Sequence, residues 1–158
     1  MFGLGKKRVI IASPMDGAVV SVSKVMDPVF SADVLGRGIA VKPESGQVRA
    51  PGKATVSQMF ETGHAVTLVM DNGAELLIHI GIDTVKLKGR YFRICKNSGE
   101  SVNTGDVLME FDADGIRAEG FDTVTPIVVC NPDCFSDISF ASEGPIREGE
   151  PLITIGKR

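Results

Sequence analysis

His64 and His79 are the only two histidines of the chain. Imidazole is the one side chain whose ordinary pKa, near 6.5, leaves an unprotonated ring nitrogen available at neutral pH. A single histidine in or beside a core is usually satisfied by a backbone carbonyl. Two that converge can divide a reaction between them, one ring as nucleophile or base and the other as hydrogen-bond donor to developing charge. The competing chemistry is metal binding. A catalytic zinc asks for three protein ligands and an open position, and the chain has neither H-x-H nor H-E-x-x-H, so Asp83 or Asp27 would have to complete such a set for a zinc hydrolase.

What must position the pair is a hairpin. GHAVTLVMDNGAELLIHIGI, residues 63–82, is two apolar, partly alternating runs joined at Asp71-Asn72-Gly73, and Asn-Gly is the strongest short hairpin signal. With Asn72-Gly73 as a two-residue loop, Val66 lies opposite His79 and Gly81 opposite His64. The two histidines are then diagonal neighbours on one face, about 7–8 Å apart at the backbone and within reach of each other's rings. The arrangement depends on register, since a slip of one residue sends one of them to the other face.

The rest of the chain bounds the setting. Its 158 residues, 43% hydrophobic and 23% charged, fit one globular domain with a sizeable core, read as residues 8–158 behind a flexible segment 1–7. A net charge of -3 offers no basic footprint for nucleic acid. No apolar run approaches the ~20 residues of a membrane helix, and the first residues lack a signal peptide's apolar region, so the default address is cytoplasmic. Cys95, Cys130 and Cys134 are an odd count with an uninformative C-x-x-x-C spacing, read as reduced thiols, with a Cys130–Cys134–histidine metal site as the alternative.

Short Val-, Ile-, Phe- and Thr-rich runs separated by Gly, Pro, Asp and Asn every ten residues or so predict an all-β, antiparallel sandwich or barrel-like domain with a few short helical turns. The strands are placed at 8–12, 17–21, 38–42, 47–49, 54–59, 64–70, 74–80, 107–111, 126–129 and 152–155, and single helical turns at 88–94, 112–119 and 132–137. A faint repeat runs through them. The segment 99–108 (GESVNTGDVL) echoes 144–152 (GPIREGEPL), and 13–19 (SPMDGAV) echoes 50–56 (APGKATV). Either these are duplicated turn-and-strand units or similar turns have recruited similar residues. A biotinyl or lipoyl carrier, which such turns also suggest, lacks its lysine at the most obvious hairpin tip, Asn72-Gly73.

Glu61-Thr62-Gly63-His64-Ala65-Val66, then Glu75-Leu76-Leu77-Ile78-His79-Ile80-Gly81-Ile82-Asp83-Thr84-Val85 and Leu87-Lys88-Gly89, closely resemble the glucose-type enzyme IIA of the bacterial sugar phosphotransferase system. Pro14-Met15-Asp16-Gly17, Val25-Met26-Asp27-Pro28-Val29-Phe30, Leu35-Gly36-Arg37-Gly38-Ile39-Ala40, Ala50-Pro51, Gly105-Asp106, Phe111-Asp112, Thr125-Pro126-Ile127-Val128 and Asn131 continue the resemblance over nearly the whole chain.

The resemblance implies an antiparallel β-sandwich that takes a phosphoryl group from phosphorylated HPr and hands it to a cysteine of a IIB domain. It implies His79 as the phosphoryl acceptor, His64 as the second active-site histidine, Thr62 as the hydrogen-bond partner of the His64 ring, and the Gly81 carbonyl as the group that fixes the His79 tautomer. Val29, Phe30, Leu35, Phe60 and Val85 become apolar neighbours of a shallow partner-binding site, with Asp27 and Asp83 at its rim. No cofactor is required, and the metal it allows is a zinc ion held by His64, His79 and a partner's carboxylate. A regulatory module, in which phosphorylation of His79 only switches partner binding, shares this chemistry without onward transfer to IIB.

The chain departs from the family pattern at Arg37, Lys86 and at Arg90-Tyr91, where three cations near the site bear on partner choice. Ala54 also stands where a turn glycine is usual, at a cost in stability if that turn needs a positive φ.

Overall fold

A computed structural model describes residues 8–25, 27–28 and 35–157. Segment 1–7 and two of the expected site residues, Val29 and Phe30, lie outside them. Fourteen strands are formed: β1 (Arg8–Ala12), β2 (Gly17–Val20), β3 (Arg37–Pro43), β4 (Gln47–Arg49), β5 (Ala54–Met59), β6 (Ala65–Met70), β7 (Glu75–His79), β8 (Phe92–Ile94), β9 (Ser101–Val102), β10 (Val107–Phe111), β11 (Thr125–Val129), β12 (Phe135–Phe140), β13 (Gly144–Ile146) and β14 (Pro151–Lys157). They build an eight-stranded sheet in the order β13-β2-β3-β11-β7-β6-β5-β9 and two three-stranded sheets, β1-β14-β12 and β4-β10-β8. Every pairing is antiparallel. The all-β sandwich expected from the turn spacing is the fold observed.

Among the fully described elements the helical ones are α1 (Ala113–Ala118), whose first turn is capped by Asp112 accepting from the Gly115 N–H, and 3-10 turns at Val22–Lys24, Thr84–Leu87 and Pro132–Cys134. Segment 132–137 carries its expected turn, which runs on into β12, paired with β14. Segment 88–94 differs from expectation and ends in strand β8, paired with β10. Two further short strands carried no periodic signal. One of them, β13, contains Pro145, tolerated because this is a sheet edge where a missing N–H costs no ladder bond.

The central sheet buries both faces, and unequally. Leu76, Ile78 and Ile80 point with Val66, Leu68 and Met70 into the main core. The other face carries a smaller cluster of Ala65, Leu77, Ala40, Val22, Val25, Val124 and Val128, edged by Phe60. His79 follows Leu77 by two residues and so belongs to this second face, at its rim.

The repeat is a structural duplication. In one copy the Gly149 N–H reaches Ser13 O (3.0 Å) and the Ser13 N–H reaches Glu150 O (2.7 Å); in the other, Gly105 reaches Ala50 O (2.9 Å) and Ala50 reaches Asp106 O (2.8 Å). Each turn is closed by its acid, Glu150 accepting from Arg147 N–H and Asp106 from Asn103 N–H. Similar turns alone would not reproduce the long-range bonds. Ala54 pairs with Val102 as Gly17 pairs with Ile146, and Ala54 is extended. Among the described residues only Asp83, Lys88 and Tyr91 are non-glycines with positive φ, so the expected cost at Ala54 does not arise.

The first and last strands, β1 and β14, are sewn together in the outer sheet, where Arg8 lies opposite Gly156 and Ile11 opposite Ile153. No helix among the described residues is long and apolar enough to cross a membrane.

Candidate functional site

The hairpin between the histidines forms with a different register. Its loop is three residues, Asp71-Asn72-Gly73, with Met70 and Ala74 closing it through a 2.8 Å bond and Gly73 at φ +95°, the conformation that three-residue hairpin loops reserve for glycine. Ala65, not Val66, therefore faces His79, and the Ile80 N–H donates to His64 O. The tip is pinned from outside. Asn131 donates to Gly73 O and accepts from the Glu75 N–H, both at 2.9 Å, so this side chain fixes where β7 begins.

By strand alternation alone this slip would separate the histidines. They meet nonetheless, because His64 is not in a strand. It closes the turn Phe60–Ala65, in which Gly63 takes φ +72° and donates to Phe60 O, and the turn rather than the pleat aims the ring. The two imidazoles lie with centroids 4.9 Å apart and planes at 84°. Phe60 meets the His64 ring edge-on at 5.5 Å, and Phe92 at 6.4 Å. Phe92 is a site residue the sequence did not reveal, since its place depends on β8 lying against Gly63. A side chain at Gly63 would come within 3.1 Å of Phe92 Cβ.

Each ring has one nitrogen committed. His79 Nδ1 lies 2.7 Å from Gly81 O; a carbonyl only accepts, so Nδ1 carries the proton and Nε2 holds the free lone pair. His64 Nδ1 is hydrogen-bonded to Thr62 Oγ1. Gly81 can bend its carbonyl back because it sits at φ +76°, with Thr84 Cγ2 and Asp122 O only 2.6 and 2.7 Å from where a Cβ would stand. Gly81→Ala is therefore expected to lower stability by about 2–4 kcal/mol through left-handed strain and overpacking and to loosen His79. Denaturant unfolding checks the first effect, and the His79 ring NMR signals check the second.

Burial, then the neighbouring His79, lowers the pKa of His64 from 6.5 to about 4. Burial lowers that of His79 too, opposed by the Gly81 bond and by the carboxylates of Asp27 and Asp83. The sign for stability follows. The unfolded chain takes up its His64 proton near pH 6.5 and the folded one only near pH 4, so below pH 6.5 the unfolded state binds more protons and the fold weakens as pH falls. Two and a half pH units correspond to about 3 kcal/mol. Denaturant midpoints are expected to drop between pH 6.5 and 4, and to drop less in a His64→Gln protein.

Of the other expected residues, three bear on the pair. Asp27 and Asp83 are within electrostatic reach of His79, Phe60 is shared between the second cluster and His64, and Val85 is 52% exposed, a surface residue rather than a core one. Leu35 is exposed two residues before β3, on the approach to Arg37. Arg37 is not beside the histidines. It pairs with Val129, whose other neighbour is Leu76, three residues before His79 along β7 and so about 10 Å away in strand direction alone, and its guanidinium lies over Phe140. Cys130 likewise sits at the far end, bonded through its N–H to Glu75 O. Among the described residues no three His, Cys, Asp or Glu side chains are grouped to hold a metal ion.

Residues 9–135 match the family described as the phosphoenolpyruvate-dependent sugar phosphotransferase system, EIIA 1. The chain is 43% identical over 148 residues to a beta-glucoside-specific EIIBCA component of this system from Bacillus subtilis, covering 94% of this chain and 24% of the relative. A beta-glucoside-specific EIIBCA component from Dickeya chrysanthemi is 42% identical over 140 residues, 89% of this chain and 22% of that one. The chain thus spans about a quarter of the length of these relatives. The solved glucose permease IIA of Mycoplasma capricolum superposes with a TM-score of 0.89 at 28% identity, over 98% of this chain and 99% of that one. With a matched stretch that includes both imidazoles, their turn and their hairpin, the chain belongs to the EIIA 1 family of the phosphoenolpyruvate-dependent sugar phosphotransferase system.

Proposed function

We propose that this protein carries a phosphoryl group on Nε2 of His79, taking it from the phosphohistidine of HPr and passing it to a cysteine of a IIB domain in the cytoplasm. The observation that carries this reading is the His79 Nδ1–Gly81 O bond with a second imidazole 4.9 Å away. Nε2 attacks the phosphorus as the donor's P–N bond breaks; Nδ1 keeps its proton and its carbonyl partner throughout. On the outward leg the thiolate of the acceptor attacks and Nε2 leaves with its lone pair. No proton needs to be found or lost by His79 in either direction, which suits a carrier that must run both ways.

His64 supplies the charge stabilisation. With Nδ1 accepting from the Thr62 hydroxyl, its Nε2–H is the group left to donate to the phosphoryl oxygens. Its lowered pKa keeps the ring neutral, so it donates without binding the anion too tightly to release. Phe60 and Phe92 on that ring exclude water from a hydrolysable phosphohistidine. The two Nε2 atoms also suit half of a zinc site completed by a partner's carboxylate, an arrangement the transfer itself does not use.

The test is incubation of the purified chain with phosphoenolpyruvate, enzyme I and HPr, followed by acceptor IIB. One acid-labile phosphoryl group per chain, assigned to His79 Nε2 by NMR and discharged by IIB, is expected. Label on another residue, or none, overturns the reading.

A further inference from the structure

Thr84 has no part in the transfer described above, yet the fold buries it completely, at 0% exposure. A hydroxyl is enclosed at little cost only when it has a hydrogen-bond partner, and this one donates to Ile80 O. The methyl branch bears on the next residue along, with Thr84 Cγ2 standing 2.6 Å from where a Cβ at Gly81 would lie. One side chain therefore touches both of the residues that follow His79.

The peptide bond is planar and trans, so a hydrogen bond made by one of its groups fixes the direction of the other. After His79 three successive planes are held in this way. His64 O accepts from the Ile80 N–H at 2.7 Å and fixes the His79–Ile80 plane. The Thr84 hydroxyl holds Ile80 O and with it the Ile80–Gly81 plane. Asp122 O accepts from the Ile82 N–H at 3.1 Å and fixes the Gly81–Ile82 plane. Asp122 is held in turn, its carboxylate accepting from the Val124 N–H at 2.9 Å. Gly81 O belongs to the third plane and so points away from Asp122, toward His79 Nδ1 at 2.7 Å. A glycine at φ +76° gives its carbonyl no aim of its own. The aim comes from the groups that hold the planes on either side.

We infer that Thr84 is a positioning residue for phosphoryl transfer: by holding the Ile80 carbonyl it aims the Gly81 carbonyl at His79 Nδ1 and so keeps the nucleophilic lone pair on Nε2. The use made of Nε2 rests on the carrier reading above; the aim of the carbonyl rests on burial and hydrogen bonds alone. Without the hydroxyl, Ile80 O loses this partner inside the fold, the Ile80–Gly81 plane turns toward another, and Gly81 O no longer fixes the proton of Nδ1. A ring released in this way carries its proton on either nitrogen. Each molecule with the proton on Nε2 presents no lone pair there.

The test reads the His79 tautomer directly, from the ring nitrogen NMR signals at about pH 8, where the imidazole is neutral. The native chain is expected to show one tautomer, protonated on Nδ1. Thr84→Val keeps the shape and loses the hydroxyl. It is expected to show both tautomers and to accept phosphoryl groups from phosphorylated HPr about 10- to 10²-fold more slowly, with the apparent affinity for HPr changed much less because Thr84 is out of a partner's reach. Thr84→Ser loses the methyl and keeps the hydroxyl. It should unfold at a lower denaturant concentration than the native chain and still show the native tautomer. A packing role alone predicts the opposite order, with T84S the more disturbed of the two. Should T84V not fold, T84A set against T84S compares two smaller side chains that differ by the hydroxyl. A native tautomer in T84V or T84A, or mixed tautomers in T84S, overturns the inference. Failure of the carrier reading looks different: the tautomers follow the hydroxyl as described while no phosphoryl group reaches even the native chain.

Discussion

A His79→Gln protein takes up no phosphoryl group from phosphorylated HPr, at any concentration or time, while its circular dichroism and unfolding midpoint stay close to those of the native chain. The carboxamide is of similar length and can keep a donor toward Gly81 O, so the bond that holds the native ring at 2.7 Å has a substitute. What the substitution removes is the lone pair on Nε2, the one nucleophile the arrangement presents, and no neighbouring group replaces it. His64 has its Nδ1 tied to Thr62 and is a buried residue, 4% exposed, with its ring between Phe60 and His79, which leaves little room for a second phosphorylation. The measurement is intact-protein mass after incubation with phosphoenolpyruvate, enzyme I and HPr. A fully labelled variant removes His79 from the mechanism.

Replacing His64 by Ala leaves acceptance possible in stoichiometry and slows it. One donor aimed at developing charge is worth about 10²–10³ in rate, and with the second ring gone the phosphoryl oxygens lose the only neutral donor the described geometry supplies. Transfer to IIB should fall by a similar factor, with the apparent affinity for either partner changed much less, since the exposed surface around Val85 is untouched. Rapid-quench kinetics with a labelled donor separate the two quantities. The same variant should unfold at a higher denaturant concentration, relative to the native chain, as pH is lowered toward 4, because a buried ring that resists protonation is gone. Equal transfer rates in the two proteins would assign His64 a packing role only.

How far the sequence carries such an argument differs from residue to residue. Asn72-Gly73 announces the hairpin, and the apolar alternation on either side announces two strands. The register was set by something local spacing does not contain, a third loop residue together with the Asn131 side chain reaching the tip from 58 residues away in sequence. The convergence of the histidines was legible for a reason other than the one that brings it about. Strand alternation in the expected register puts His64 and His79 on one face; the actual register would not, and the Gly63 turn restores the meeting. Phe92 could not be read at all, because β8 is three residues long and its contact with His64 is purely tertiary. Arg37 was placed near the site because the numbering of motifs says nothing about which end of a strand faces which. The repeat was the reverse case, a weak similarity in letters that the hydrogen bonds turn into identity of structure.

The pairing of the first strand with the last has its own consequence. With Arg8 across from Gly156, the polypeptide enters and leaves this body at almost the same spot, so fusion to a neighbour through either junction puts the tether in the same place relative to His79. The same closure makes the contacts long in sequence: β1 waits for β14 to be synthesised before it finds its place in the outer sheet.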